Sequence, residues 1–222
     1  MGSKRLPGKS LALIGQKPLL VHTIEAIASR FEKSQMIIAT SKDSDCDSIE
    51  SLGRDVNISV YRGDEKNVAS RFSEIIKERR PSYFCRISGD SPFIDAQTIV
   101  KAFDVIEDKK VDLVSTTGLG FPSGMNVEVL RSDFFIENYP KFNSSAHFEH
   151  VTKFFYEKAH DFKIQYLECP VRNARDYKFS VDTPEDRERM NFFFSKLEKE
   201  PFRYSLEEKC DLFSSLFKGA PC

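Results

Sequence analysis

Hydrophobic positions along this chain alternate between two rhythms. Apolar residues three and four apart predict helices over 18–29 (Leu19, Leu20, Ile24, Ile27), near 46–52, over 67–78 (Val68, Phe72, Ile75, Ile76) and over 96–107. Short apolar runs between them predict strands over 36–39, 58–61, 83–87 and 113–115. Strands alternating with helices of about ten residues make an α/β fold, a mostly parallel sheet with helices on both faces. The rhythm changes over 118–169, where a glycine-rich turn precedes a strand at 126–130, helices at 132–139 and 147–158, and a strand at 163–167. That block reads as a small inserted α+β region for substrate contacts or a partner interface. Residues 177–181 predict a return to the main sheet. Pro184 then suits the first turn of a helix running to about 197, with Thr183 or Asp182 as its cap. The expected division is one domain over 1–200 and an amphipathic helical extension over 201–222.

Composition narrows the class. At 222 residues the chain is long enough to bury about 70% of its unfolded surface in a single core. A net charge of −1 lacks the basic excess of a nucleic-acid binder, and no apolar run approaches a membrane span. Five scattered cysteines, an odd number without a CxxC pair, point away from disulfides or a zinc cluster and toward a reducing cytoplasm.

The chemistry concentrates at turns. Met1-Gly2-Ser3-Lys4-Arg5-Leu6-Pro7-Gly8-Lys9 combines glycine-freed amides with cations, the ingredients of a triphosphate loop. Asp90, in Arg86-Ile87-Ser88-Gly89-Asp90-Ser91-Pro92, follows a predicted strand, where open α/β sheets bind ligands. Asp182 sits similarly in Val181-Asp182-Thr183-Pro184-Glu185-Asp186. Two such aspartates can share one Mg²⁺ with phosphate oxygens. Taken singly, Asp182 reads more readily as a helix cap and Asp90 as a turn stabiliser. A third turn, Arg62-Gly63-Asp64-Glu65 followed by Asn67, could touch base or ribose, or could be a solvated helix start.

The order of these pieces resembles the spore coat polysaccharide family of cytidylyltransferases, relatives of CMP-sialic acid and CMP-KDO synthetases. The resemblance rests on the opening loop, Lys17-Pro18-Leu19-Leu20, Tyr61-Arg62-Gly63, the Asp90 and Asp182 turns, Gly124-Met125-Asn126-Val127-Glu128-Val129 and Glu149-His150-Val151-Thr152. It runs from Met1 to about Met190. It implies a Rossmann-like, GT-A-like nucleotidyltransferase domain that moves CMP from CTP to a hydroxyl of an acidic sugar of the ulosonic or nonulosonic type, releasing pyrophosphate. By the same resemblance, Gly2, Ser3, Arg5, Lys9, Arg62, Asn67, Arg86 and Asp90 contact nucleotide, with Arg5, Lys9 and Asp90 catalytic. Asp90 and Asp182 hold Mg²⁺. Asn126, Glu128, Glu149 and His150 lie where relatives contact the acceptor sugar or a second subunit, and a homodimer is implied. His150 reads either as a base or as a structural hydrogen-bonder.

One departure stands out. Relatives carry a central strand immediately before the glycine loop, and here none precedes Met1, so the expectation is a recorded start that is too late or a truncated chain. Two other readings remain open at this stage. A glycosyltransferase consuming a nucleotide sugar would want an Asp-x-Asp motif after a strand, and the only such spacings are Asp43-Ser44-Asp45 and Asp45-Cys46-Asp47, early in a polar loop. An inactive nucleotide-binding paralogue would fit the absent strand.

Overall fold

The structure is a computed structural model that describes residues 6–217. Its elements run β1 (Leu13–Ile14), β2 (Lys17–Pro18), α1 (Leu19–Ala28), β3 (Ile37–Ser41), α2 (Asp47–Asp55), β4 (Ser59–Gly63), α3 (Val68–Arg79), β5 (Tyr83–Arg86), α4 (Ala96–Lys109) and β6 (Leu113–Ser115). They continue as β7 (Glu128–Arg131), α5 (Ser132–Asn138), α6 (Ser145–His150), α7 (Lys153–Glu157), β8 (Ile164–Tyr166), α8 (Pro184–Phe194) and α9 (Leu206–Leu216).

Besides the small β1–β2 hairpin there are two sheets, a parallel pair β3–β4 and a four-stranded sheet in the order β5-β7-β6-β8. In the latter, β7 runs antiparallel to both neighbours, while β6 and β8 are parallel. The expected 118–169 region therefore supplies two strands of the main sheet, β7 and β8.

Period-two alternation builds the layers. Tyr83, Cys85, Val114 and Val129 face one side, against Ile99, Ala102 and Ile106 of α4. Phe84, Leu113 and Leu130 face the other, against α3, α5 and α7. Helix α1 spans both sheets: Ala26 and Ile27 join the α4 layer, while Leu20 and Ile24 pack on Ile38 and Ile49. On the opposite face α3 touches β3 and β4 and also packs on Phe84. Among the described residues no strand lies between β3 and β5. Each of these two strands pairs on one side only, and the helices that cover them bridge the interval.

Two expectations change. Residues 177–181 form no strand; a single bridge joins Lys178 to Ser123, and Phe179 N–H donates to the Ser123 carbonyl at 2.8 Å. Gly124 (φ +86°) permits that contact, because a Cβ there would lie 2.5 Å from Ser180 N. The helix expected over 147–158 is broken in two at Val151, between α6 and α7. The terminal helix α9 is a packed element, with Leu206, Cys210 and Phe213 in the cluster of Phe93, Phe179 and Phe193.

Candidate active site

Local capping chemistry decides what Asp182 is free to do. Thr183 caps α8, its hydroxyl accepting from Asp186 N–H at 3.2 Å, with Pro184 in the first turn. Asp186, only 4% exposed, accepts the backbone N–H groups of Asp182 and Thr183 and takes ion pairs from Lys178 and Arg189. The cap is thus complete without the Asp182 carboxylate. The Asp90 turn is likewise anchored from behind, since Asp95 caps α4 through Thr98.

The two turns meet over an aromatic platform. Phe93, three residues after Asp90, and Phe179, three before Asp182, pack with centroids 5.3 Å apart and rings tilted by 56°, and Phe193 closes on Phe93 at 5.0 Å. Val181 N–H donates to the Asp90 carbonyl at 3.4 Å. Above them Lys9, in the short 3₁₀ turn Lys9–Leu11 that follows left-handed Gly8, donates to Asp90 Oδ2 and, at 2.9 Å, to Asp182 Oδ1. Asp182 Oδ2 also accepts from Ser180 Oγ at 3.1 Å.

Burial opposes charge on both partners, yet the pairing prevails. Asp90 and Asp182 hold the Lys9 ammonium above its ordinary value. Lys9, Ser180 and Lys178 hold the Asp182 carboxyl below its own, against the upward push of burial.

These carboxylates line a cavity of about 400 Å³ together with Arg86, Asn126, Glu128, His150, Lys153 and Tyr156. Glu128 is 5% exposed and its oxygens are taken: Oε2 by Arg86 Nη1 at 2.8 Å, Oε1 by Thr152 Oγ1 at 2.8 Å and Tyr156 O–H at 2.6 Å. Burial, followed by the Glu128 charge, raises the Tyr156 phenol well above its ordinary value, so it stays a donor. Glu128 therefore positions Arg86, with both of its own oxygens engaged. Thr152 reaches it because Val151 adopts φ 60°, ψ −53° and Thr152 N–H bonds the His150 carbonyl. That is a γ-turn of the strained kind, at a fully buried β-branched residue.

The cytidylyltransferase family model matches residues 1–215 of this chain. The chain belongs to the cytidylyltransferase family. It is 31% identical over 207 residues to spore coat polysaccharide biosynthesis protein SpsF of Bacillus subtilis (strain 168), covering 90% of this chain and 85% of that protein. It is 30% identical over 121 residues to a 3-deoxy-manno-octulosonate cytidylyltransferase of Agrobacterium fabrum, which spans 53% of this chain and 47% of that one. In fold it superimposes on a cytidylyltransferase from Leptospira borgpetersenii with a TM-score of 0.91, at 20% identity over 97% of this chain and 91% of that one. A CMP:2-keto-3-deoxy-manno-octonic acid synthetase complexed with CTP gives 0.62 at 17% identity over 88% of this chain and 95% of that one.

Within this cytidylyltransferase the structure gathers Lys9, Arg86, Asp90, Asn126, Glu128, His150 and Asp182 around one space. Gly2, Ser3 and Arg5 lie outside the described residues. Arg62 and Asn67 are engaged elsewhere. The Arg62 guanidinium binds Asp47, Glu50 and the carbonyls of Ser41, Lys42 and Asp43, closing the β3–α2 turn. Asn67 caps α3 and donates to Tyr139. Glu149 is exposed and does not line the cavity. The Asp43–Asp47 spacings sit in the 3₁₀ turn that opens α2, and none of those aspartates lines the cavity.

Thr152, Lys153 and Tyr156 are cavity residues that sequence reasoning did not select. The signal available for them was their position within six residues after His150. Asp90 and Asp182 offer two hard oxygens that a cation already bridges, a donor set that would suit a Mg²⁺ shared with phosphate. No helix among the described residues is long and apolar enough to cross a membrane.

Two outcomes follow from this geometry. In a right-handed conformation alanine is favoured over glycine, but at Val151 the order inverts. Val151→Gly should be more stable than Val151→Ala by about 1 kcal/mol in denaturant unfolding, and equal or reversed stabilities would remove the strain. For pH, Asp182 titrates below its ordinary 3.8, so its contribution is complete above that value and is lost as pH falls through the lower folded pKa. The melting temperature of the natural chain should therefore drop more steeply below about pH 4 than that of Asp182→Asn.

Proposed function

We propose that this cytidylyltransferase transfers CMP from CTP to a hydroxyl of an acidic sugar of the ulosonic or nonulosonic type, releasing pyrophosphate, in the biosynthesis of a surface polysaccharide or glycan. The observation that carries it is one cavity lined by the Lys9-bonded carboxylates Asp90 and Asp182 and by Arg86, His150 and Lys153. The names of two relatives point to the substrate class, a 3-deoxy-manno-octulosonate cytidylyltransferase and a protein of spore coat polysaccharide biosynthesis.

In the transfer, the acceptor hydroxyl oxygen bonds the α-phosphorus and loses its proton, while the bond from that phosphorus to the β-phosphate oxygen breaks. Charge grows on the leaving pyrophosphate, and a cation brought to it stabilises it more than it stabilises the substrate. Lys9, once drawn from the carboxylates to the phosphates, would supply such a charge. Mg²⁺ held by Asp90 and Asp182 would add charge neutralisation at the phosphate oxygens. Arg5, with amides near Gly2 and Ser3, would join it from the loop.

Arg86 is fixed in place by Glu128, and its remaining donors suit a sugar carboxylate as a bidentate partner. His150 and Asn126 flank the same space, where they orient the acceptor hydroxyls. Holding the attacking oxygen in line accounts for a large share of the rate, since alignment replaces an encounter in solution.

Pyrophosphate release should require CTP, Mg²⁺ and an acidic sugar. Asp90→Asn and Asp182→Asn should each lower kcat/KM about 10²- to 10³-fold while the protein still melts cooperatively. Turnover with neutral sugar phosphates in place of acidic sugars would overturn the acceptor assignment. Full activity of both variants would overturn the site.

A further inference from the structure

Lys9 occupies the place that a divalent cation would take. Its ammonium touches Asp90 and Asp182 together, although the three residues lie 81 and 173 positions apart in the chain. Its side chain is 19% exposed, and the carboxylates are 17% and 20% exposed. Among the other described lysines, none is shown on both carboxylates. Lys178 approaches Asp182 only at 3.6 Å and is committed to the buried Asp186. Two carboxylates brought this close repel one another unless a positive charge sits between them. Lys9 supplies that charge from a flexible four-carbon stem rooted in a single 3₁₀ turn behind Gly8 (φ 70°). Asp90 and Asp182, by contrast, are fixed by the Phe93–Phe179 platform and the α8 cap. The pair is rigid and the lysine is the part that can leave.

We propose that Lys9 is a built-in placeholder: it closes the Asp90–Asp182 pair in the ligand-free protein and yields it to a divalent cation when a triphosphate draws its ammonium away. This rests on the nucleotide and metal reading given above. Lys9 competes with the free ion for the same oxygens, so a divalent cation alone binds weakly. The incoming phosphates remove the competitor and bring oxygens of their own, so nucleotide and metal each raise the other's affinity, as linkage requires. The device keeps the site from loading a metal without its substrate.

The test is Mn²⁺ binding to the intact chain without nucleotide, followed by the loss of the free-ion signal in electron paramagnetic resonance. Lys9→Met should bind one Mn²⁺ at least about tenfold more tightly than the natural chain, because the competing charge is gone and the carboxylate pair remains. The double variant Lys9→Met/Asp182→Asn should lose that gain. Lys9→Gln provides a second neutral variant, and thermal melting of each shows that it is folded. Lys9→Arg, which keeps the charge, should bind Mn²⁺ as weakly as the natural chain. Equal or weaker Mn²⁺ binding by folded Lys9→Met and Lys9→Gln would overturn the placeholder. If CTP-dependent Mn²⁺ binding still required Asp182 in that case, the metal-site reading would stand by itself. Mn²⁺ binding with CTP that is indifferent to Asp182→Asn would overturn both.

Discussion

Everything in this molecule that bears on its chemistry depends on holding two aspartates, Asp90 and Asp182, in one place beside a lysine. Neither burial nor mutual repulsion favours that arrangement. The fold meets the problem in two layers. Below the carboxylates, Phe93, Phe179, Phe193 and Phe213 pack ring against ring, and the Val181–Asp90 backbone bond ties the turns directly. Above them Lys9 neutralises the pair. The C-terminal helix α9 matters through this same platform, since Phe213 completes it and buried Lys209 reaches toward the Phe93 carbonyl. A segment remote in sequence thus steadies the loop that carries Asp90.

The Arg86 wall of the cavity follows a different logic. There the fold keeps an arginine inside a cavity by surrounding its partner: Glu128 receives Arg86, Thr152 and Tyr156 at once. A buried carboxylate that satisfied contributes rigidity, whereas losing one donor would leave charge unpaired. Strain at Val151 is the local cost of bringing Thr152 to Glu128 while His150 lines the cavity. Such outliers persist only where the surrounding packing over-determines them, and Val151 lies fully buried among Phe142, Phe154 and Phe155.

Much of the frame was legible in the residues. The strand over 113–115 matches β6, and those over 83–87 and 163–167 match β5 and β8 with ends displaced by no more than one residue. β6 is a short apolar run buried at every position, and burial on two faces leaves that signature. The meeting of Lys9, Asp90 and Asp182 was inferred only through the resemblance, because no local pattern says that three distant turns converge. Arg62 and Asn67 stand in motif-like surroundings, yet their side chains close a turn and cap a helix, two roles that polar residues near strand and helix ends fill equally well. The break at Val151 was invisible for a plainer reason. A valine amid helix-forming neighbours predicts continuation, and only the demands of Glu128, far away in sequence, reverse it. Residues 177–181 look like a strand by composition, but their backbone is held by the Ser123–Gly124 turn.

The most direct measurement is a double-mutant cycle between Lys9 and Asp182 on the unfolding free energy of the ligand-free chain, using Lys9→Met, Asp182→Asn and the pair. If the ammonium holds the carboxylates together, the two changes should couple by about 1 kcal/mol or more. Additivity to within about 0.3 kcal/mol would mean that the carboxylates hold their place without Lys9, and would contradict the account at its centre.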